Sequence, residues 1–200
     1  MRKIVVSEFM SLDGVMQAPG GAEEDTEGGF THGGWTAPYW HDDIGAEFAQ
    51  VMGESDAMLL GRKTWQIHGA AWEPMAAGDP FADVLNAIPK NVVSNTLTDA
   101  SAWRNSTLIS GSEGDVVEAV RALKAQPGKN IVMDGSSKLV HTLAANDLID
   151  EYRLIVYPLV LGGGKKVFAD SGARQNLRLV EARPLPTGVV LTHYTVERAE

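Results

Sequence analysis

Five short apolar runs constrain this chain most: Ile4-Val5-Val6, Ala57-Met58-Leu59-Leu60, Asn91-Val92-Val93-Ser94, Thr107-Leu108-Ile109 and Ile131-Val132-Met133. Several are separated by stretches with helical spacing, the pattern of βαβ units on a largely parallel sheet, and so of an α/β fold. The clearest helix covers Asp115 to Ala125, with Val116, Val120 and Leu123 on one stripe and Val117 beside it. Ser112 and Asp115 can form a capping box at its start. A second helix, Ser137 to Ala145, carries Leu139, Val140, Leu143 and Ala144 on one face and can stop at Asn146. The last fifty residues differ. Tyr152 to Tyr157 and Gly188 to Val196 read as strands with no long helix between them, which predicts antiparallel C-terminal strands. Leu185-Pro186-Thr187-Gly188 reads as the turn before the last.

Two hundred residues, 44% of them hydrophobic, suit a single domain over 1–200. A net charge of -9 opposes non-specific attraction to nucleic acid or to an anionic membrane, so an anionic ligand has to be met by a local cationic patch. There is no cysteine, which excludes thiolate metal sites and a thiol nucleophile. Met1-Arg2-Lys3 is followed by only three apolar residues before Ser7 and Glu8, too few for a signal segment, so a cytoplasmic location is expected.

Three segments are expected to meet where open α/β sheets bind nucleotides, at the carboxyl ends of the strands. They are Gly61-Arg62-Lys63-Thr64-Trp65, Ser94-Asn95-Thr96 and Asp134-Gly135-Ser136-Ser137-Lys138. Gly135 allows close backbone approach, and free N–H groups at the following helix start can hold a pyrophosphate. Arg62 or Lys63 with Ser94 can take a ribose phosphate, favouring NADPH over NADH. No G-x-G-x-x-G follows the first strand, and Gly162-Gly163-Gly164-Lys165-Lys166 lacks the remaining residues of a P-loop. The segment from Gln17 to Gly34, with six glycines and Glu23, Glu24, Asp25 and Glu27, is too polar to pack and reads as a mobile lid or a disordered loop. His68 to Pro80 reads as a second loop. Trp35, Tyr39, Trp40, Trp65 and Trp72 cluster around them, either as core or as the wall of a pocket for a flat ring, for which Trp40 and Trp65 are the candidates.

Ser11-Leu12-Asp13-Gly14, Gly61 to Trp65, Asp134 to Ser137, Leu148-Ile149-Asp150-Glu151 and Tyr157 to Gly164 together resemble the dihydrofolate reductase superfamily. Within it the resemblance is greatest to the reductase domain of bacterial riboflavin biosynthesis and its stand-alone relatives. It implies a three-layer dihydrofolate-reductase-like fold, NADPH bound across the sheet's carboxyl edge, and a homodimer; the apolar run Leu154 to Leu161 is either a surface for it or a strand buried within the chain's own sheet. By the same resemblance Gly61, Arg62, Lys63, Thr64 and Ser94 meet the adenosine ribose and its phosphate, and Gly135, Ser136 and Ser137 form the pyrophosphate turn. Asp13 is the first candidate for the proton donor that hydride transfer needs, although Asp-Gly is also ordinary turn chemistry, and Asp43 is the second. The five histidines show no metal-ligand spacing, and no G-x-S-x-G elbow is present. The expected activity is reduction of a small pteridine- or pyrimidine-like heterocycle; the alternative is a non-catalytic nucleotide-binding or regulatory protein.

Overall fold

The computed structural model describes residues 1–75, 77–170, 172 and 174–198. In chain order its elements are β1 (Ile4–Ser11), α1 (Asp42–Gly53), β2 (Ser55–Gly61), α2 (Arg62–Trp72), α3 (Pro80–Ala87), β3 (Lys90–Val93), β4 (Ser106–Ile109), α4 (Glu113–Ala125), β5 (Asn130–Met133), α5 (Ser137–Ala145), β6 (Glu151–Tyr157), β7 (Asn176–Pro184) and β8 (Val190–Glu197). The eight strands form one sheet in the order β4-β3-β2-β5-β1-β6-β8-β7. Strands β4 to β6 are parallel, and β8 and β7 join antiparallel at the end, as the loss of helical spacing after Ala145 predicts.

Side chains alternate across the central strands, and each set meets its own helices. Leu59, Ile131 and Met133 pack with Val116 and Val120 of α4 and with Leu139, Val140 and Leu143 of α5. Met58, Leu60 and Val132 pack instead with Val51 and Met52 of α1, Trp65 of α2 and Leu85 of α3. This gives three layers, and β2, with apolar partners on both faces, reads as the continuous apolar run expected of a buried parallel strand. The capping box of α4 forms, with Ser112 and Asp115 bonding each other's backbone N–H. Helix α5 has the predicted bounds.

The expectation that Gln17 to Gly34 cannot pack is corrected. Gln17, Ala18 and Phe30 are buried. The Gln17 carboxamide donates to the Asp25 and Glu27 carbonyls, each at 3.0 Å, and accepts from the Lys165 N–H at 2.9 Å. Asp25 and Glu27 pair with both Lys63 and Lys165 at 2.6–2.8 Å. The polar residues that argue against packing are the ones that hold the segment down. His68 to Pro80 is also shorter as a loop than expected: α2 continues to Trp72, and Asp79 caps α3 by accepting from Phe81 and Ala82 N–H at 3.0 and 2.9 Å. The apolar run near residue 154 is largely consumed within the chain, because Leu154, Ile155 and Tyr157 are buried in β6 between β1 and β8. Its second part, Pro158 to Leu161, lies beyond the strand, with Val160 69% exposed.

Candidate active site

Parallel pairing of β2 with β3 and β5 brings their carboxyl ends level, with Gly61 opposite Val93 and Leu59 opposite Met133. The turns that follow therefore come together. Gly61 is the residue before α2, and a Cβ built on it would collide with the Ser136 hydroxyl. Gly135 has φ +81°, and a Cβ there would lie 2.5 Å from Thr64 Oγ1. Each turn thus fits against the other only where a side chain is missing. Helix α5 starts behind Ser136 and α2 behind Gly61, and neither has a side-chain cap, so the N–H groups of both first turns are open to an anion.

A groove runs over this junction, lined by Gly61, Arg62, Asn95, Gly111, Ser136 and Lys138. Arg62 is exposed and makes no ion pair among the described residues. Lys63 does not share this freedom, since its ammonium is held at 2.8 Å by both Asp25 and Glu27. Ser94 Oγ accepts from the Thr96 and Leu97 N–H groups at 3.1 Å, which makes it the pivot of the turn after β3. Thr64 packs under Gly135, and Ser137 is buried at the start of α5. Two converging helix starts, a glycine-built close approach and a free guanidinium fit a dinucleotide with an additional phosphate.

Beside the Gly135 turn lies a second cleft, lined in part by Glu8, His68, Asp134, Gly135, Thr64 and Lys165. Glu8, the fifth residue of β1, is 5% exposed and accepts from the Gly135 N–H at 2.5 Å. Burial pushes its carboxyl well above the usual range, the neighbouring Asp134 raises it further, and the Gly135 bond offsets only part of this. Asp134 is raised too, by burial, while His68 pulls it back. His68 Nδ1 stands 3.7 Å from Asp134 Oδ2, buried and without a hydrogen-bond partner among the described residues. Among those residues no three of His, Asp or Glu are grouped so as to hold a metal ion. The arrangement can store and release a proton.

The structure puts the two expected acids elsewhere. Asp13 accepts from Ser11 Oγ at 2.6 Å and from the Leu161 and Gly162 N–H groups at 3.1 and 2.8 Å, tying the β1 loop to the loop after β6. Burial works against its charge, but those bonds outweigh it and bring the carboxyl down to about 2. A carboxylate held so firmly ionised is a poor proton donor. Asp43 pairs with Arg183 of β7 at 2.6 Å, and it does not line either cleft described above. Trp65, expected at a pocket wall, is 3% exposed in the core against Trp103 and Val92, its indole N–H donating to Ser106 Oγ at 2.9 Å. Trp40 is 54% exposed, beside Gly45 of α1, and does not line the cleft. Glu8 and Asp134 carry a signal that the apolar runs conceal: Glu8 is an acid within a largely buried strand and Asp134 directly follows one. Nothing in the local sequence marks His68.

A sequence profile described as RibD C-terminal domain matches residues 2–191. The Bacillus subtilis protein YyaP is 28% identical over 196 residues, covering 96% of this chain and 94% of its own. A pyrimidine reductase-like protein from Corynebacterium diphtheriae superposes with a TM-score of 0.68 at 13% identity, over 99% of this chain and 93% of the other. Dihydrofolate reductase from Enterococcus faecalis, solved in complex with NADP(H), superposes with a TM-score of 0.61 at 11% identity, over 98% and 97%. The fold is dihydrofolate-reductase-like.

Proposed function

The chain belongs to the RibD C-terminal domain family, and on that premise we propose that it is an NADPH-dependent reductase of a small pteridine- or pyrimidine-like heterocycle. The observation that carries the reading is the interlock of Gly61 with Ser136 and Gly135 with Thr64, which brings two uncapped helix starts together beside the cleft that Glu8 and Asp134 line. When bound there, NADPH supplies the hydride. The first-turn N–H groups of α2 and α5 hold its pyrophosphate, and Arg62 takes the ribose phosphate that NADH lacks. Gln17, Ala18 and Asp25 also line the neighbouring cleft. The names of the Corynebacterium and Enterococcus proteins support the same chemistry.

Titration with NADPH and NADH, followed by NADPH oxidation against a library of pteridines and pyrimidines, tests this. Tight NADPH binding with turnover of one heterocycle is expected. Binding without any turnover favours the regulatory alternative, and no binding rejects both. The proposal includes a homodimer, for which the open edge of β7, with Leu179 and Val180 about half exposed, supplies a surface. Light scattering at micromolar concentration should give about twice 21.5 kDa, and a mass of 21.5 kDa alone rejects the dimer.

A further inference from the structure

We propose that Glu8 delivers the proton that accompanies the hydride, and that Asp134 and His68 return it. The inference rests on the reductase reading and gives a role to Glu8, which neither the sequence motifs nor the resemblance single out. Its geometric basis is the stack of three groups at one cleft: Glu8 anchored by the Gly135 N–H at 2.5 Å, Asp134 next to that glycine, and His68 Nδ1 at 3.7 Å from Asp134 with no other partner among the described residues. Behind the two acids the space is closed by Phe9, Phe48, Met52, Met58 and Val132, which add no charge. Glu8 and Asp134 both line that space, where burial first and Asp134 second favour the protonated form of the Glu8 carboxyl.

In the reaction, hydride from NADPH forms the new C–H bond at the carbon of a ring C=N. The π pair moves to the nitrogen, which takes the proton from the Glu8 carboxyl as that O–H bond breaks. The products are the CH–NH form of the ring, NADP+ and the Glu8 carboxylate. Solvent then reprotonates the pair through the His68 imidazole. The other charged groups facing this cleft are Glu24 and Asp25 on the segment above it, Lys63 on α2 and Lys165 on the loop after β6. Asp25 is paired with both lysines.

The test has two arms. Infrared difference spectra of the ligand-free protein at pH 7, with and without carbon-13 labelled glutamate, should contain the carbonyl band of a protonated glutamate, and Glu8→Gln should lack it. Glu8→Gln should also lose about 10²–10⁴-fold in turnover while its NADPH Kd stays within about twofold of wild type. Absence of a protonated glutamate in the wild type overturns the proposal and needs no variant. So does full turnover by Glu8→Gln, which leaves the reductase reading standing. Failure of the wild type to bind NADPH removes the reductase reading, and this catalytic role with it, even if the protonated glutamate is present.

Discussion

Replacing Gly135 by alanine perturbs two things that can be separated. Its φ of +81° lies in the left-handed region, which costs a residue with a Cβ about 1–2 kcal/mol. The new methyl would also stand 2.5 Å from Thr64 Oγ1, 3.1 Å from its Cγ2 and 3.3 Å from its Cβ. Overpacking of that kind costs about 1–3 kcal/mol. Together Gly135→Ala should lose about 2–5 kcal/mol, a large share of the roughly 5–15 kcal/mol that holds a domain folded. For a chain of this size that is a fall of about 4–20 °C in Tm. The second variant divides the sum: Thr64→Ala removes Oγ1 and Cγ2, so Gly135→Ala/Thr64→Ala should recover most of the packing part and keep only the backbone part. Urea denaturation of the two single variants and the double one measures this, with NADPH affinity recorded beside it. The reasoning fails if Gly135→Ala unfolds within 0.5 kcal/mol of wild type, or if the double variant is no more stable than Gly135→Ala.

Arg62→Ala should weaken NADPH binding by about 1.5–3 kcal/mol, roughly 10- to 150-fold in Kd, and leave NADH nearly unchanged; isothermal titration with both cofactors checks it. Asp13→Asn should lower stability by about 1–2 kcal/mol, the value of charge-assisted bonds discounted for partial exposure, with little change in the folded protein's turnover. Asp13 and Glu27, both brought down to about 2, and Asp25, lowered by its lysine partners against burial, bind protons less readily folded than unfolded. Their contribution is therefore present above about pH 4 and is lost as pH falls toward 2. Denaturation midpoints measured over that interval should fall steeply in wild type and less steeply in Lys165→Met, which removes one partner of the cluster.

The parallel core was legible because its central strands, β2 above all, are largely buried and so leave continuous apolar runs in the sequence. Strand β7 was not, because it is an edge strand whose exposed Arg178 and Glu181 interrupt any such run. Helix α1 has the apolar Ile44, Val51 and Met52, but its cap is the imidazole of His41, accepting from the Asp43 N–H at 3.2 Å, which is not a usual helix-start signal. At the site, glycine and hydroxyl residues marked two turns that the structure brings together, since those types are needed wherever backbones approach closely. The acids were harder to read, for the opposite reason. Asp13 stands in a recognisable motif, yet three donors keep it charged, whereas Glu8 is embedded in a strand and its chemistry comes from burial and from Asp134, a residue 126 positions away. Only tertiary contact reveals that pair.

Cofactor titration tests the central claim most directly. NADPH should bind with one molecule per chain and more tightly than NADH, and the preference should vanish in Arg62→Ala. Equal affinity for the two cofactors in wild type, or no binding of NADPH at millimolar concentration, would contradict the account.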